Sequence, residues 1–175
     1  EPLVLTEEAV ALVFARLTAA PPRVEVDEPT EAIVARSLVA AGHLVHSVDD
    51  DGRPCFAMAG ALEAVGRCLA AADRRVVVTI SSPEGDELVV AYLLGDGTTA
   101  LVERVGADGF RTYELAVVDL LALELTGDLG VGRADTATRP VGREEAAIDL
   151  LISAVELDAS GARLREVALA EGPDA

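Results

Sequence analysis

The stretch Arg75–Leu115, RVVVTISSPEGDELVVAYLLGDGTTALVERVGADGFRTYEL, decides the fold. Arg75–Ile80, Leu88–Leu94, Thr99–Val105 and Phe110–Leu115 are β-branched or apolar runs. Between them lie Ser82-Pro83-Glu84-Gly85-Asp86, Gly95-Asp96-Gly97 and Gly106-Ala107-Asp108-Gly109, all of them turn chemistry. Links this short exclude parallel neighbours, which need crossovers of a dozen residues or more. The stretch therefore predicts an antiparallel meander of about four strands.

Working outward, the flanks change period. Thr6–Ala20 reads as a helix capped by Thr6, with Val10, Val13, Phe14 and Leu17 at helical spacing and Pro21-Pro22 as its stop. Glu7 and Glu8 suit the positive end of its dipole. After a short extended piece, Arg23–Val26, a second helix opens at Pro29 and closes at Gly42, with Ile33, Val34, Leu38 and Val39 as its apolar face. Leu44–Val48 alternates, Asp50-Asp51-Gly52 turns, and a third helix over Ala57–Ala72 presents Leu62, Val65 and Leu69. Beyond the meander, Val117–Leu125 reads as a helix packed on the sheet. These elements make residues 1–126 one α+β domain. Residues 127–142, rich in Gly, Arg, Asp, Thr and Pro, read as a linker or mobile loop. In 143–175, a helix over Glu144–Leu157, with Ile148, Leu151, Ile152 and Val155 on one side, and a strand over Ala162–Ala170 look like the start of a second half.

Composition narrows the function. The 175 residues carry a net charge of −17, which repels phosphate backbones and anionic lipid headgroups. No nucleic acid and no membrane insertion are expected, since no apolar run approaches the roughly 20 residues that span a bilayer. All fourteen basic residues are arginines, so a P-loop lysine, a Schiff-base lysine and a lysine general base are excluded together. Cys55 and Cys68 fit neither a zinc site nor a disulfide framework and read as free thiols in a reducing cytoplasm.

No chemical constellation emerges, and no catalytic residue, metal or cofactor is expected. His43 and His46 follow the Gly42 helix stop, so helical spacing does not bring them together on a metal. The adjacent acids Asp49-Asp50-Asp51 lack the alternating ligands of a calcium loop. Gly127–Gly132 runs out of a helix, the wrong order for a dinucleotide fingerprint. Ala32–Phe56 has the order of a winged helix, but its helix sets Arg36 against Glu31, poor chemistry for reading DNA.

Four stretches carry a likeness to a known family. They are Ala19-Ala20-Pro21-Pro22 leading into Val24-Glu25-Val26; Ala35–Val45 (ARSLVAAGHLV); Leu62–Val78 (LEAVGRCLAAADRRVVV); and the meander Glu87–Leu115 with the helix after it. In this order, over roughly residues 3 to 125, the sequence resembles the N-terminal half of the EspG family, cytosolic chaperones of actinobacterial ESX (type VII) secretion. Members of that family have two related halves and are considerably longer than this chain. The resemblance implies a non-catalytic cytoplasmic chaperone or adaptor that binds a hydrophobic segment of a secretion substrate, a helical protein of the PE/PPE or WXG type. A homodimer is also compatible. Such a task needs an apolar patch on a rigid sheet, and the candidates are Tyr92, Leu94, Phe110, Tyr113 and the hairpin tip Pro83-Glu84-Gly85. Each aromatic taken singly reads more simply as core filling. The alternative is a winged-helix-type regulator acting through protein or DNA contacts.

Overall fold

The computed structural model describes residues 2–82, 85–127 and 150–171. It is an α+β fold built on one seven-stranded antiparallel sheet. The expected meander is present as β4 (Arg74–Ser82), β5 (Gly85–Leu94), β6 (Thr99–Val105) and β7 (Phe110–Val117), each paired with the next. Gly95, Gly97 and Gly109 take positive φ in its turns, conformations that side chains with a Cβ resist. The helix after the meander, α4 (Val118–Gly127), lies as expected against the sheet, where Arg104 holds Glu124 at 2.6 Å.

A strand absent from the sequence reading precedes the first helix. β1 (Leu3–Thr6) pairs with β7, setting Leu3 opposite Tyr113 and Leu5 opposite Arg111. The expected helix Thr6–Ala20 is correspondingly shorter: α1 spans Glu7–Val13, with Thr6 as N-cap accepting the Ala9 N–H. It stops because Phe14 is drawn into the core, edge-on to Tyr113. Backbone groups of Ala19, Ala20 and Pro21 are then bonded by side chains from the sheet. Arg23–Val26 is irregular, not extended strand.

The second helix, α2 (Glu28–Ala40), starts with Asp27 accepting the Thr30 N–H at 2.9 Å and closes before Gly42, as its sequence signals require. Its predicted apolar face is only partly used: Leu38 is buried, whereas Ile33 is 60% exposed. A separate hairpin of β2 (Leu44–Val48) and β3 (Pro54–Met58) follows. Asp49 closes it by accepting the Asp51 and Arg53 N–H groups. Because Met58 pairs with Leu44, the third helix begins later than expected, as α3 (Gly60–Ala71), still burying Leu62, Val65 and Leu69.

The expected helix Glu144–Leu157 is overturned over its described part. Leu150–Asp158 is strand β8, hydrogen-bonded to β4 from Arg74↔Asp158 to Ser81↔Leu151. Helical spacing of apolar residues was a weaker constraint than the open edge of β4, which eight residue pairs of β8 now cover. β9 (Arg163–Glu171) is the strand expected over Ala162–Ala170 and pairs with β8. The sheet order is β1-β7-β6-β5-β4-β8-β9. The linker expected over 127–142 lies outside the described residues, apart from Gly127 at the end of α4.

Strand alternation gives the sheet two faces. One carries Leu3, Val90, Leu101 and Tyr113 and packs against α1 and α3; the other carries Val78, Val89, Ala100 and Val102 and packs against Leu121 of α4.

Candidate partner-binding surface

Two of the predicted contact residues are internal. Tyr92 and Tyr113 are fully buried on the sheet face under α1 and α3, and they converge on one carboxylate, Glu103. This corrects the assignment of Tyr92 to a partner surface, and leaves Tyr113 only as the buried floor of an apolar groove beside α3. Tyr92 donates to Glu103 Oε2 at 2.6 Å and Tyr113 donates to Oε1 at 3.1 Å. Register explains the meeting: Glu103 lies opposite Tyr113 on β7, and Tyr92 lies opposite Leu101, one step along the same face.

Arg111 completes the group. Its Nε donates to Glu7 Oε1 at 3.1 Å and its Nη2 to Glu7 Oε2 at 2.9 Å, the bidentate fork that guanidinium geometry favours. Its Nη1 donates to Glu103 at 2.6 Å and to the Ala20 carbonyl, and its Nη2 also donates to the Pro21 carbonyl. All five guanidinium donors are therefore used. Glu7 also accepts the Arg23 N–H, and Tyr92 accepts the Ala19 N–H at 2.7 Å. The network thus straps residues 19–23, the link between α1 and α2, onto the sheet.

Its electrostatics follow from that bonding. Burial pushes the Glu7 carboxyl up, but the hydrogen bonds from Arg111 and Arg23 outweigh it, and the net pKa lies below the ordinary value. Burial first, and the Glu103 charge second, hold both tyrosine hydroxyls far above the usual range. Sequence reasoning saw Glu7 only as a dipole partner. The one available signal was an acid and an arginine each standing within apolar alternation.

The remaining predicted residues separate. Leu94 is half-buried at one end of β5. Gly85 and Phe110 both line the opposite end, where the turns around β5 and β7 border a depression of about 410 Å³. Phe110 is 45% exposed there, but Asp86, Glu87, Arg104 and Asp108 make the depression as polar as it is apolar. Pro83 and Glu84 lie outside the described residues.

An apolar groove of about 370 Å³ lies elsewhere, between α3 and the β1–β7–β6 part of the sheet. Ala61, Ala64, Val65 and Cys68 form its helical wall, and Leu3, Leu101, Tyr113 and Leu115 its sheet wall. Leu115 is 65% exposed. The sequence reading missed this groove because it placed the meaning of α3 in Leu62, Val65 and Leu69. The small residues Ala61, Ala64 and Cys68, at helical spacing beside that stripe, were the signal.

Among the described residues, no group of three or more His, Cys, Asp or Glu side chains is placed to hold a metal ion, and no helix is long and apolar enough to cross a membrane. His46 lies tilted against Phe56 across the β2–β3 hairpin, with ring centroids 4.9 Å apart. Cys55 and Cys68 are unbonded to each other. No protein-family model matches this chain, and no curated protein matches it.

Proposed function

We propose that this chain is a non-catalytic cytoplasmic chaperone or adaptor of the EspG kind, which holds an apolar helical segment of an ESX (type VII) secretion substrate. The observation that carries the reading is the α3–β7 groove. It is walled by apolar residues, with Glu114 its one carboxylate, and has small side chains along the helix. Those small residues leave room for one or two apolar knobs from a partner helix, and Leu115 stands exposed at its side. The ionisable residues buried nearby, Glu7, Glu103 and Arg111, are bonded to one another and to backbone, which suits a scaffold better than a reactive site. A partner of the PE/PPE or WXG type fits a groove of this chemistry.

The winged-helix reading draws on the hairpin that follows α2. It favours protein contact over DNA contact, because α2 presents Glu28 and Glu31, and Arg36 bonds the Ala32 carbonyl at 2.8 Å.

The test is affinity capture from native lysate with the wild type and with Ala64→Glu, which puts a charge into the groove. Recovery of small helical secretion substrates by the wild type, lost in the variant at unchanged thermal stability, is the expected result. Recovery of nucleic acid, or of identical partners by both forms, overturns the reading.

A further inference from the structure

We propose that Met58 is an oxidation-sensitive latch: a peroxide converts its thioether to the sulfoxide, and the change frees the β2–β3 hairpin from α3. Among the described residues the hairpin is a sheet of its own, with no ladder to the seven-stranded one, so side-chain packing seats it. Its two ends lie together. Gly42 before β2 and Gly60 after β3 take φ of 74° and 57°, and a Cβ built on Gly60 would stand 4.0 Å from the Gly42 carbonyl oxygen. Adjacent glycine joints of this kind let a hairpin pivot as a unit.

Met58 is placed to hold that pivot shut. It ends β3 opposite the buried Leu44, and its side chain reaches α3 at Gly66. A Cβ built on Gly66 would stand 2.9 Å from Met58 Cε, 3.2 Å from its Sδ and 3.3 Å from the Phe14 ring, so the thioether lies against helix backbone. The same side chain is partly exposed and lines a groove of about 300 Å³ with Leu12, Val13, Phe56 and Glu31. The latch is therefore within reach of a small oxidant in the groove.

In the oxidation step a sulfur lone pair attacks one peroxide oxygen, the O–O bond breaks, and the second oxygen leaves as water after proton transfer. Sulfur loses two electrons and the peroxide gains them. The product replaces a soft apolar chain end by a strong dipole. Its oxygen needs a hydrogen-bond donor. Among the described residues lining the groove the one polar side chain is Glu31, whose carboxylate accepts and does not donate. An unpartnered sulfoxide oxygen is costly to bury, and swinging the hairpin outward about Gly42 and Gly60 delivers it to water. Met58 is the chain's one methionine and walls no part of the α3–β7 groove, so the latch stands apart from the chaperone reading.

The test uses Cys55→Ser/Cys68→Ser protein, in which Met58 is the one sulfur left, treated with hydrogen peroxide and followed by mass spectrometry and amide hydrogen exchange. The folded protein is expected to take up one oxygen at Met58. Exchange within β2 and β3 should then rise about tenfold while β5 and β6 stay protected. Methionine sulfoxide reductase with a dithiol should restore the original exchange, and Met58→Leu should be indifferent to peroxide. The reductase arm, run also on the wild-type chain, reads the same latch should a variant fail to fold. Sulfoxide formation with unchanged hairpin exchange overturns the inference. So does exchange that rises throughout the sheet, a Met58 that resists peroxide until the protein unfolds, or an equal response from Met58→Leu.

Discussion

Glu103 and Arg111, on neighbouring strands, meet at 2.6 Å with side chains 0% and 1% exposed, so an ion pair stands inside the core beside the sheet. Such a pair is weak evidence for stability while intact, but breaking it strands a charge in a low-dielectric interior. Arg111→Met leaves Glu7 and Glu103 buried without their guanidinium, and the loss is expected to be about 3–5 kcal/mol. Urea unfolding measures it. Adding Glu7→Gln and Glu103→Gln to Arg111→Met should recover part of the loss, because neutral amides cost less to bury. A single variant as stable as wild type would show that the pair carries no weight.

The two tyrosines are not equivalent. Tyr92 both donates to Glu103 and accepts the Ala19 N–H, whereas among the described residues Tyr113 is bonded through its donation to Glu103 alone. Tyr92→Phe should therefore cost about 1–3 kcal/mol, toward the upper end, and Tyr113→Phe less. Tyr92→Phe should also speed limited proteolysis within 19–23, since it releases one of the backbone bonds that strap this link to the sheet. Equal proteolysis of the two variants would contradict the strap.

Acid should act on the same network through Glu7. Its folded-state pKa lies below the ordinary value of 4.5, because the bonds from Arg111 and Arg23 outweigh the effect of burial. A depressed carboxylate contributes stability above the unfolded value and loses it as pH falls through the folded one. The stability difference between wild type and Glu7→Gln should thus be constant near neutrality and shrink below about pH 4.5. Chemical unfolding at a series of pH values checks this, and a difference that grows with acid would reverse the assignment.

What was legible in the sequence was local. Thr99–Val105 is a strand to the residue because glycine turns fix both its ends, and α2 is bounded by the Asp27 cap and Gly42. What was illegible was long-range. Phe14 has helical spacing within its segment, yet it caps α1 because Tyr113 offers it a ring and the link behind it is bonded to Tyr92 and Arg111. Leu151, Ile152 and Val155 fit a helical stripe as well as a strand, and the waiting edge of β4 decided between them. Glu7 and Arg111 stand 104 positions apart, and pairing β1 with β7 is what brings them together. The meander's aromatics invited a surface reading because the acid they surround is on a strand between them, and a lone glutamate within β6 was the overlooked mark of a buried polar cluster.

Alkali offers the sharpest check on that cluster. The chain has two tyrosines and no tryptophan, so tyrosinate absorbance reports on Tyr92 and Tyr113 alone. Both hydroxyls are held far above their ordinary value of 10.0 by burial and by the Glu103 charge. A raised pKa contributes stability fully present below the unfolded value, fading as pH climbs toward the folded one. Above pH 10 each tyrosine should therefore remove about 1.4 kcal/mol of stability per pH unit. Neither should ionise while the fold persists, so tyrosinate absorbance and loss of circular dichroism should rise together in one transition. Ionisation centred near pH 10 with native circular dichroism intact would place the two hydroxyls in water and remove the Glu103 cluster from the core.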